Sequence, residues 1–131
     1  MSSRYIWSVT SPFLQRPCPC GSELAYDTCC GPVHRGEPAA TAEQLMRSRY
    51  CAFALGDAGH LFRTWHPRTR PDDVDIDPAI TWTGLTVLAH GEDWVEFEAR
   101  YEHGSASGRM HERSRFAQRA GRWFYLDGVV S

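Results

Sequence analysis

Four of the five cysteines stand in one short segment, which constrains the fold more than any other feature of the chain. Cys18 and Cys20 flank Pro19, and Cys29 and Cys30 follow after a loop of eight residues. Two close pairs of thiols can converge on one tetrahedral ion, and zinc suits four thiolates because it is a d10 ion without redox chemistry. We therefore predict a structural zinc site formed by Cys18, Cys20, Cys29 and Cys30. Protein ligands would fill all four positions of this site.

The alternative for clustered cysteines is disulfide bonds. No basic segment followed by an apolar segment and a small-residue cleavage site marks the N-terminus, so nothing directs the chain to an oxidising compartment. We therefore expect a cytoplasmic, metal-binding protein. For the fifth cysteine, Cys51, the sequence favours a buried apolar side chain over a nucleophile. We expect His34 beside the zinc site and not in it, because four thiolates already complete the coordination.

The cysteine segment resembles a known zinc motif. Cys-x-Cys-Gly-Ser, followed by Tyr26 and then by two adjacent cysteines, is similar to the SEC-C motif of the C-terminal tail of the SecA translocation ATPase. The four ligand positions of the motif match Cys18, Cys20, Cys29 and Cys30. Glu23 stands where glycine or lysine is usual. Because the SecA tail contacts a chaperone and the ribosome, the resemblance implies a protein partner for the zinc knuckle.

The resemblance extends beyond the knuckle. Residues 30–34, 42–50 and 64–67 are similar to the bacterial YchJ-like family, and the likeness covers about residues 17 to 130. It implies an α+β fold in which a zinc knuckle precedes an NTF2-like cone, with helices packed on a curved antiparallel sheet. It implies no known reaction. The expected division is an N-terminal tail at 1–16, a SEC-C zinc knuckle at 17–36 and an NTF2-like domain at 37–131.

Length and charge narrow the class of protein. A chain of 131 residues with 42% hydrophobic residues is long enough for one domain with its own core. The net charge of −2 gives no bulk electrostatic attraction to nucleic acid, and no apolar run approaches the length of a membrane span. We therefore expect neither nucleic acid nor a membrane as a partner.

Two helices are predicted in the first half of the cone. Thr41 can cap the first in a capping box with Gln44, and Gly56 ends it. Asp57 can cap a second, short helix that carries Leu61, Phe62 and Trp65 and stops before Pro67.

From residue 80 onward the period becomes two, which indicates strands. The first covers residues 80–90, with a bulge at Gly84, and the second covers 95–102. A flexible loop at 104–108 precedes a third strand at 109–119, and a fourth covers 123–126.

The third strand gives the clearest indication of a cavity. If Phe116 faces the core, period two places Ser114, Glu112 and Met110 on the same inner face. An inward glutamate is costly unless it is paired, hydrogen-bonded or in a hydrated cavity. Two alternatives stay open: a structural ion pair between Glu112 and Arg49, or a cavity in which Glu112 acts as an acid or base.

Two classes of function follow from these features. The first is a protein-interaction module that uses the zinc knuckle, slightly favoured because the only strong motif is structural. The second is a small-molecule-binding protein, or a lyase-, isomerase- or hydrolase-type enzyme, as NTF2-like folds do host. Its candidate pocket consists of Arg49, Tyr50, Trp65, His66, Trp82, Glu112 and Ser114. A cone filled by a paired Glu112 supports the first class, and an open cavity with an unpaired Glu112 supports the second. We also expect a homodimer through the open face of the sheet.

Overall fold

The computed structural model describes residues 16–131, and helices precede strands along the chain. Except for its last residue, the N-terminal tail predicted at 1–16 lies outside the described residues. The elements are a 3-10 turn (Tyr26–Thr28), helices α1 (Cys30–His34), α2 (Ala42–Leu55) and α3 (Ala58–Arg63), and strands β1 (Ile80–His90), β2 (Trp94–His103), β3 (Ala106–Arg119) and β4 (Arg122–Val130). The α+β class is therefore confirmed. No helix in this part of the chain is long and apolar enough to span a membrane. The division at residues 36 and 37 stays a prediction.

The four strands form one antiparallel sheet in the order β1-β2-β3-β4. The register between β1 and β2 shifts between Trp82 and Gly84, which confirms the predicted bulge, and again between Val87 and Ala89. A further shift follows Arg115 in β3. Because each bulge bends its strand and increases the twist, the sheet curves and presents a concave face to the helices.

The predicted caps of both helices are confirmed. Thr41 Oγ1 accepts a hydrogen bond from the backbone N–H of Gln44 at 3.0 Å, and Gly56 ends α2 with a φ of 78°. The Asp57 carboxylate accepts from the N–H of His60 at 3.0 Å and starts α3. The Gln44 side chain, in contrast, accepts from the N–H of Ala40 and not from that of the cap residue, so the capping box is displaced by one residue.

Helix α3 ends earlier than predicted, at Arg63, and leaves Trp65 outside it. The reason is a long-range pairing: the backbone N–H of Tyr125 donates to Thr64, and that of His66 donates to Tyr125, each at 2.8 Å. This short parallel bridge to β4 satisfies the backbone in an extended conformation, which local propensity could not indicate.

The strands β3 and β4 are longer than predicted. Pairing of His103 with Ala106 closes a two-residue turn, so the loop expected at 104–108 is mostly strand. Gly104 permits this turn because its φ is 63°. Pairing between Glu112 and Val130 extends β4 to Val130. In both places pairing with the neighbouring strand carries the strand through residues of weak strand preference, namely Ser107, Gly108, Asp127 and Gly128.

Helix α2 covers the concave face of the sheet. Its buried Leu45, Met46 and Tyr50 join the core cluster that contains Val95 and Phe97 of β2. Together they form a cone with the helix on one wall and the sheet on the other, and this arrangement positions the inward residues of β3.

Candidate metal centre and cone cavity

Four buried cysteine sulfurs lie within 4.8 Å of one another, and they belong to Cys18, Cys20, Cys30 and Cys51. This group includes Cys51, from the middle of α2, and not Cys29, which the sequence predicts as the fourth ligand; the ligand set itself stays a prediction. The sulfur of Cys29 lies 3.6 Å from that of Cys20 and 3.1 Å from Ser22 Oγ. Cys51 is indeed buried, as expected, but its sulfur is 3.4 Å from that of Cys18. The sequence did not indicate that Cys51 lies near the other cysteines, because it is far from them along the chain.

A tight loop brings the first cysteine pair into position. The N–H of Gly21 donates to the carbonyl of Cys18 at 3.1 Å, and the N–H of Cys18 donates to Leu24 at 2.7 Å. Glu23 adopts a left-handed φ of 70°, a conformation that glycine, one of the two residues usual at this position of the SEC-C motif, adopts without strain.

The five thiols are close enough to alter one another's ionisation. Hydrogen bonds with Cys18 and then Cys30 lower the pKa of Cys20, whereas hydrogen bonds with Cys18 and then Cys20 raise the pKa of Cys30. Burial raises the pKa of Cys29 to about 11. A divalent cation would displace these protons, and a set of four convergent sulfur donors is the chemistry that structural zinc selects.

Polar contacts join the knuckle to α2. His34 Nε2 must carry a hydrogen, because its partner at 2.7 Å is the backbone carbonyl of Ser48. Its Nδ1 lies 2.7 Å from the Tyr26 hydroxyl, so both ring nitrogens are engaged outside the metal cluster. Arg47 donates to the carbonyl of Cys20 at 2.8 Å. His34 therefore lies beside the site, as the sequence analysis expected.

A cavity of about 240 Å³ opens between α2 and the concave face of the sheet. Of the seven predicted pocket residues, only His66 is absent from its lining. Its Nδ1 accepts from the N–H of Arg68 at 3.0 Å, and its ring packs against Phe124. The predicted residues that do line the cavity are Arg49, Tyr50, Trp65, Trp82, Glu112 and Ser114. The other lining residues are Met46, Phe53, Phe97, Ala99, Met110, Phe116 and Tyr125.

Glu112 does not pair with Arg49, so the ion-pair alternative is wrong. The carboxylate oxygen Oε2 of Glu112 accepts hydrogen bonds from Ser114 Oγ at 2.6 Å and from the Tyr125 hydroxyl at 3.2 Å. Arg49 instead donates from Nη1 to the carbonyl of Leu61 at 2.9 Å and to Thr64 Oγ1 at 2.7 Å, which ties α2 to the end of α3.

Arg49 is a buried cation, only 6% exposed. Its guanidinium carbon lies 4.4 Å from the ring centre of Tyr125 and 5.1 Å from that of Trp65, which gives partial compensation through cation–π contacts. Burial lowers the pKa of Arg49 to about 10. Burial raises the pKa of Tyr125, and the charge of Glu112 raises it further, so the phenol stays protonated and able to donate a hydrogen bond.

Two family models match the chain. The model of the YchJ middle NTF2-like domain matches residues 41–128, and the SEC-C motif matches residues 17–32. The second match, together with the buried cysteines, indicates metal binding.

Curated relatives carry the name UPF0225 protein. One from Streptomyces coelicolor is 53% identical over 120 residues, covering 86% of this chain and 94% of the relative. One from Cupriavidus metallidurans is 51% identical over 124 residues, covering 86% and 87% of the two chains.

Two solved structures resemble the fold. A solution structure of a SEC-C motif containing protein from Rhodopseudomonas palustris has a TM-score of 0.76 and 38% identity, and covers 87% of this chain and 98% of that one. A crystal structure of such a protein from Psychrobacter arcticus also has a TM-score of 0.76, with 32% identity and coverage of 91% and 85%. The chain therefore belongs to the YchJ-like UPF0225 family, in which a SEC-C motif precedes an NTF2-like domain.

Proposed function

We propose that the protein binds a small, mainly apolar molecule in the cone cavity, through one polar group placed between Arg49 and Glu112. The observation that carries the proposal is that these two charged side chains line one aromatic cavity without pairing. Arg49 is buried and Glu112 is half-buried. A buried charge with a structural role normally has an ionic partner, because an unpaired buried charge costs several kcal/mol. Of the two classes of function, this arrangement favours the small-molecule class.

The cavity limits the size and the character of the ligand. Its volume of about 240 Å³ is just below the range typical of pockets for drug-sized molecules, about 300–1,000 Å³. Its walls include the rings of Tyr50, Phe53 and Trp82, which pack edge-on or tilted against one another. A ligand with a single ring fits such walls because aromatic faces and edges are complementary to it.

The polar groups limit the chemistry of the ligand. Within residues 16–131, the nitrogens Nε and Nη2 of Arg49 donate no hydrogen bond, and the oxygen Oε1 of Glu112 accepts none. A ligand group with one acceptor and one donor, such as an amide or an enol, would satisfy both. An uncharged group is favoured because the charges of the two side chains already balance.

The same geometry would suit Glu112 as a general acid or base, which is the enzymatic form of the proposal. Ser114 and Tyr125 hold one carboxylate oxygen, so the other is directed and unshared. Gly128 on β4 leaves room for this carboxylate, since a Cβ there would collide with Glu112 Oε2. Positioning by two donors and one close backbone contact is what proton transfer requires of a carboxylate.

We further propose that the metal is zinc and that it is structural. The cysteine cluster would hold the ion entirely by thiolates, with no open position for water or substrate. Zinc would then stabilise the knuckle against the cone and take no part in chemistry at the cavity.

Benzamide and toluene test the proposed ligand chemistry. We expect benzamide to shift the amide signals of the residues around Glu112 and to quench part of the tryptophan fluorescence, because Trp65 and Trp82 line the cavity. Toluene should bind more weakly. Ala99→Leu, which fills the cavity, should abolish both effects, whereas Ala106→Leu on an exposed stretch of β3 should not. Equal binding of benzamide to Ala99→Leu and to the wild type would refute the cavity as the site.

A protein partner at the knuckle remains a second candidate, supported by the match of residues 17–32 to the SEC-C motif, and Leu24, which is 54% exposed on that loop, is the residue that tests it. By its resemblance to the SecA tail, we expect co-sedimentation with bacterial ribosomes that Leu24→Ser weakens. Equal sedimentation of both proteins would remove this candidate. The homodimer through the sheet also stays a prediction, which sedimentation velocity tests.

A further inference from the structure

We propose that the metal ion is coordinated by Cys18, Cys20, Cys30 and Cys51, so that the fourth ligand comes from helix α2 and Cys29 remains an uncoordinated thiol beside the site. The SEC-C motif by itself supplies all four ligands from the knuckle. In this chain the fold brings a fifth sulfur from the cone into the cluster. Five sulfurs then compete for four tetrahedral positions.

The arrangement of the sulfurs supports the assignment of Cys51. In a tetrahedral zinc site with zinc–sulfur bonds of about 2.3 Å, the sulfurs lie about 3.8 Å apart. The sulfurs of Cys18 and Cys51 are 3.4 Å apart, and every pair within the buried group of four lies within 4.8 Å. The sulfur of Cys29 is also near one member, at 3.6 Å from that of Cys20, but it does not belong to the group whose sulfurs are all mutually close. Small side-chain adjustments therefore suffice to close the site around an ion.

The position of Cys29 supports its exclusion. It is the N-cap residue of α1, and Cys30 is the first residue of that helix. Cys29 itself is not helical, with a φ of −121° and a ψ of −98°, so its thiol does not follow the direction that the helix gives to Cys30. Cys30 is 1% exposed and joins the cluster, whereas Cys29 is partly exposed and contacts the Ser22 hydroxyl at 3.1 Å.

The assignment changes what the metal does in this protein. A ligand in the middle of α2 couples the knuckle directly to the helix that carries Arg49 and Tyr50 into the cavity. Loss of the metal would therefore loosen α2 as well as the knuckle. A site confined to the knuckle would act on α2 only indirectly, through contacts such as the hydrogen bonds of His34 and Arg47.

Two matched variants test the assignment. Cys29→Ser should retain one metal ion per chain and the visible spectrum of a cobalt tetrathiolate after substitution with Co²⁺. Cys51→Ser should bind Co²⁺ at least about 100-fold more weakly, and its thiolate-to-cobalt absorption should fall by about a quarter because three thiolates remain. Loss of metal in Cys29→Ser, or an unchanged spectrum in Cys51→Ser, overturns the proposal.

Alkylation of the metal-replete wild-type protein decides the question even where Cys51→Ser does not fold. We expect iodoacetamide to modify Cys29 first, with the metal retained, because a free thiol reacts while coordinated thiolates are protected. Peptide mass spectrometry identifies the modified residue, and metal content is measured in the same sample. If Cys29 is protected until a chelator removes the metal, Cys29 is a ligand and the proposal is wrong.

Discussion

Replacing Glu112 with Gln or Leu distinguishes the contribution of its hydrogen bonds to stability from the contribution of its charge. The structure predicts that the hydrogen bonds contribute more. Glu112→Gln keeps a carbonyl oxygen that can accept from Ser114 and Tyr125, but these become hydrogen bonds between neutral groups. Because a hydrogen bond to a charged group contributes about twice as much as a neutral one, the change costs about 1 kcal/mol per bond. The lower cost of burying a neutral amide offsets part of this, so we expect a net loss of about 1 kcal/mol.

Glu112→Leu removes the acceptor altogether and should cost more. The hydroxyl of Ser114, which is 1% exposed, and that of Tyr125 would both lose their partner. An unsatisfied buried donor costs about 1–3 kcal/mol, so we expect a loss of about 2–5 kcal/mol in the free energy of unfolding.

Urea denaturation of the metal-replete proteins measures both losses, with Glu102→Gln as a control because Glu102 is exposed near the end of β2. If both variants lose only about 1 kcal/mol or less, the two hydroxyls find other acceptors. If both lose about 2–5 kcal/mol, the charge dominates, as it would if Glu112 balanced Arg49 structurally. Either result would refute the reasoning from hydrogen bonds.

Two further predictions concern the backbone of the knuckle and a buried histidine. Glu23→Gly should raise the free energy of unfolding by about 0.5–1 kcal/mol, because glycine adopts the φ of 70° without strain. The control Glu37→Gly should give no such increase, and thermal unfolding measures both variants. Burial, and then the neighbouring His34, lower the pKa of His60 to about 3. The pKa of His60 in the unfolded chain is about 6.5, so the folded state is not penalised by this residue above pH 6.5. Below that pH the free energy of unfolding should fall by up to about 1.4 kcal/mol per pH unit, down to about pH 3. His60→Gln, which can still donate to Ser48, should flatten this pH profile, and an unchanged profile would contradict the assignment.

The inner face of β3 was predictable because side chains alternate along a strand. The same period that places Phe116 in the core places Met110, Glu112 and Ser114 on the cavity wall, and all four do line the cavity. The partner of Glu112 was not predictable. Arg49 and Tyr125 come from a helix and another strand, so their distances from Glu112 depend on how α2 crosses the sheet.

The sequence by itself determined the features that depend on near neighbours: the cysteine motif, the caps at Thr41 and Asp57, the end of α2 at Gly56 and the alternation of the strands. Each rests on dihedral restrictions or on contacts within a few residues, which residue order encodes directly. The tertiary structure alone decided the approach of Cys51 to the knuckle, the bridge between Trp65 and β4, and the unpaired charges in the cavity. These contacts join residues far apart in the chain, and only the packing of the helices on the curved sheet brings them within reach of one another.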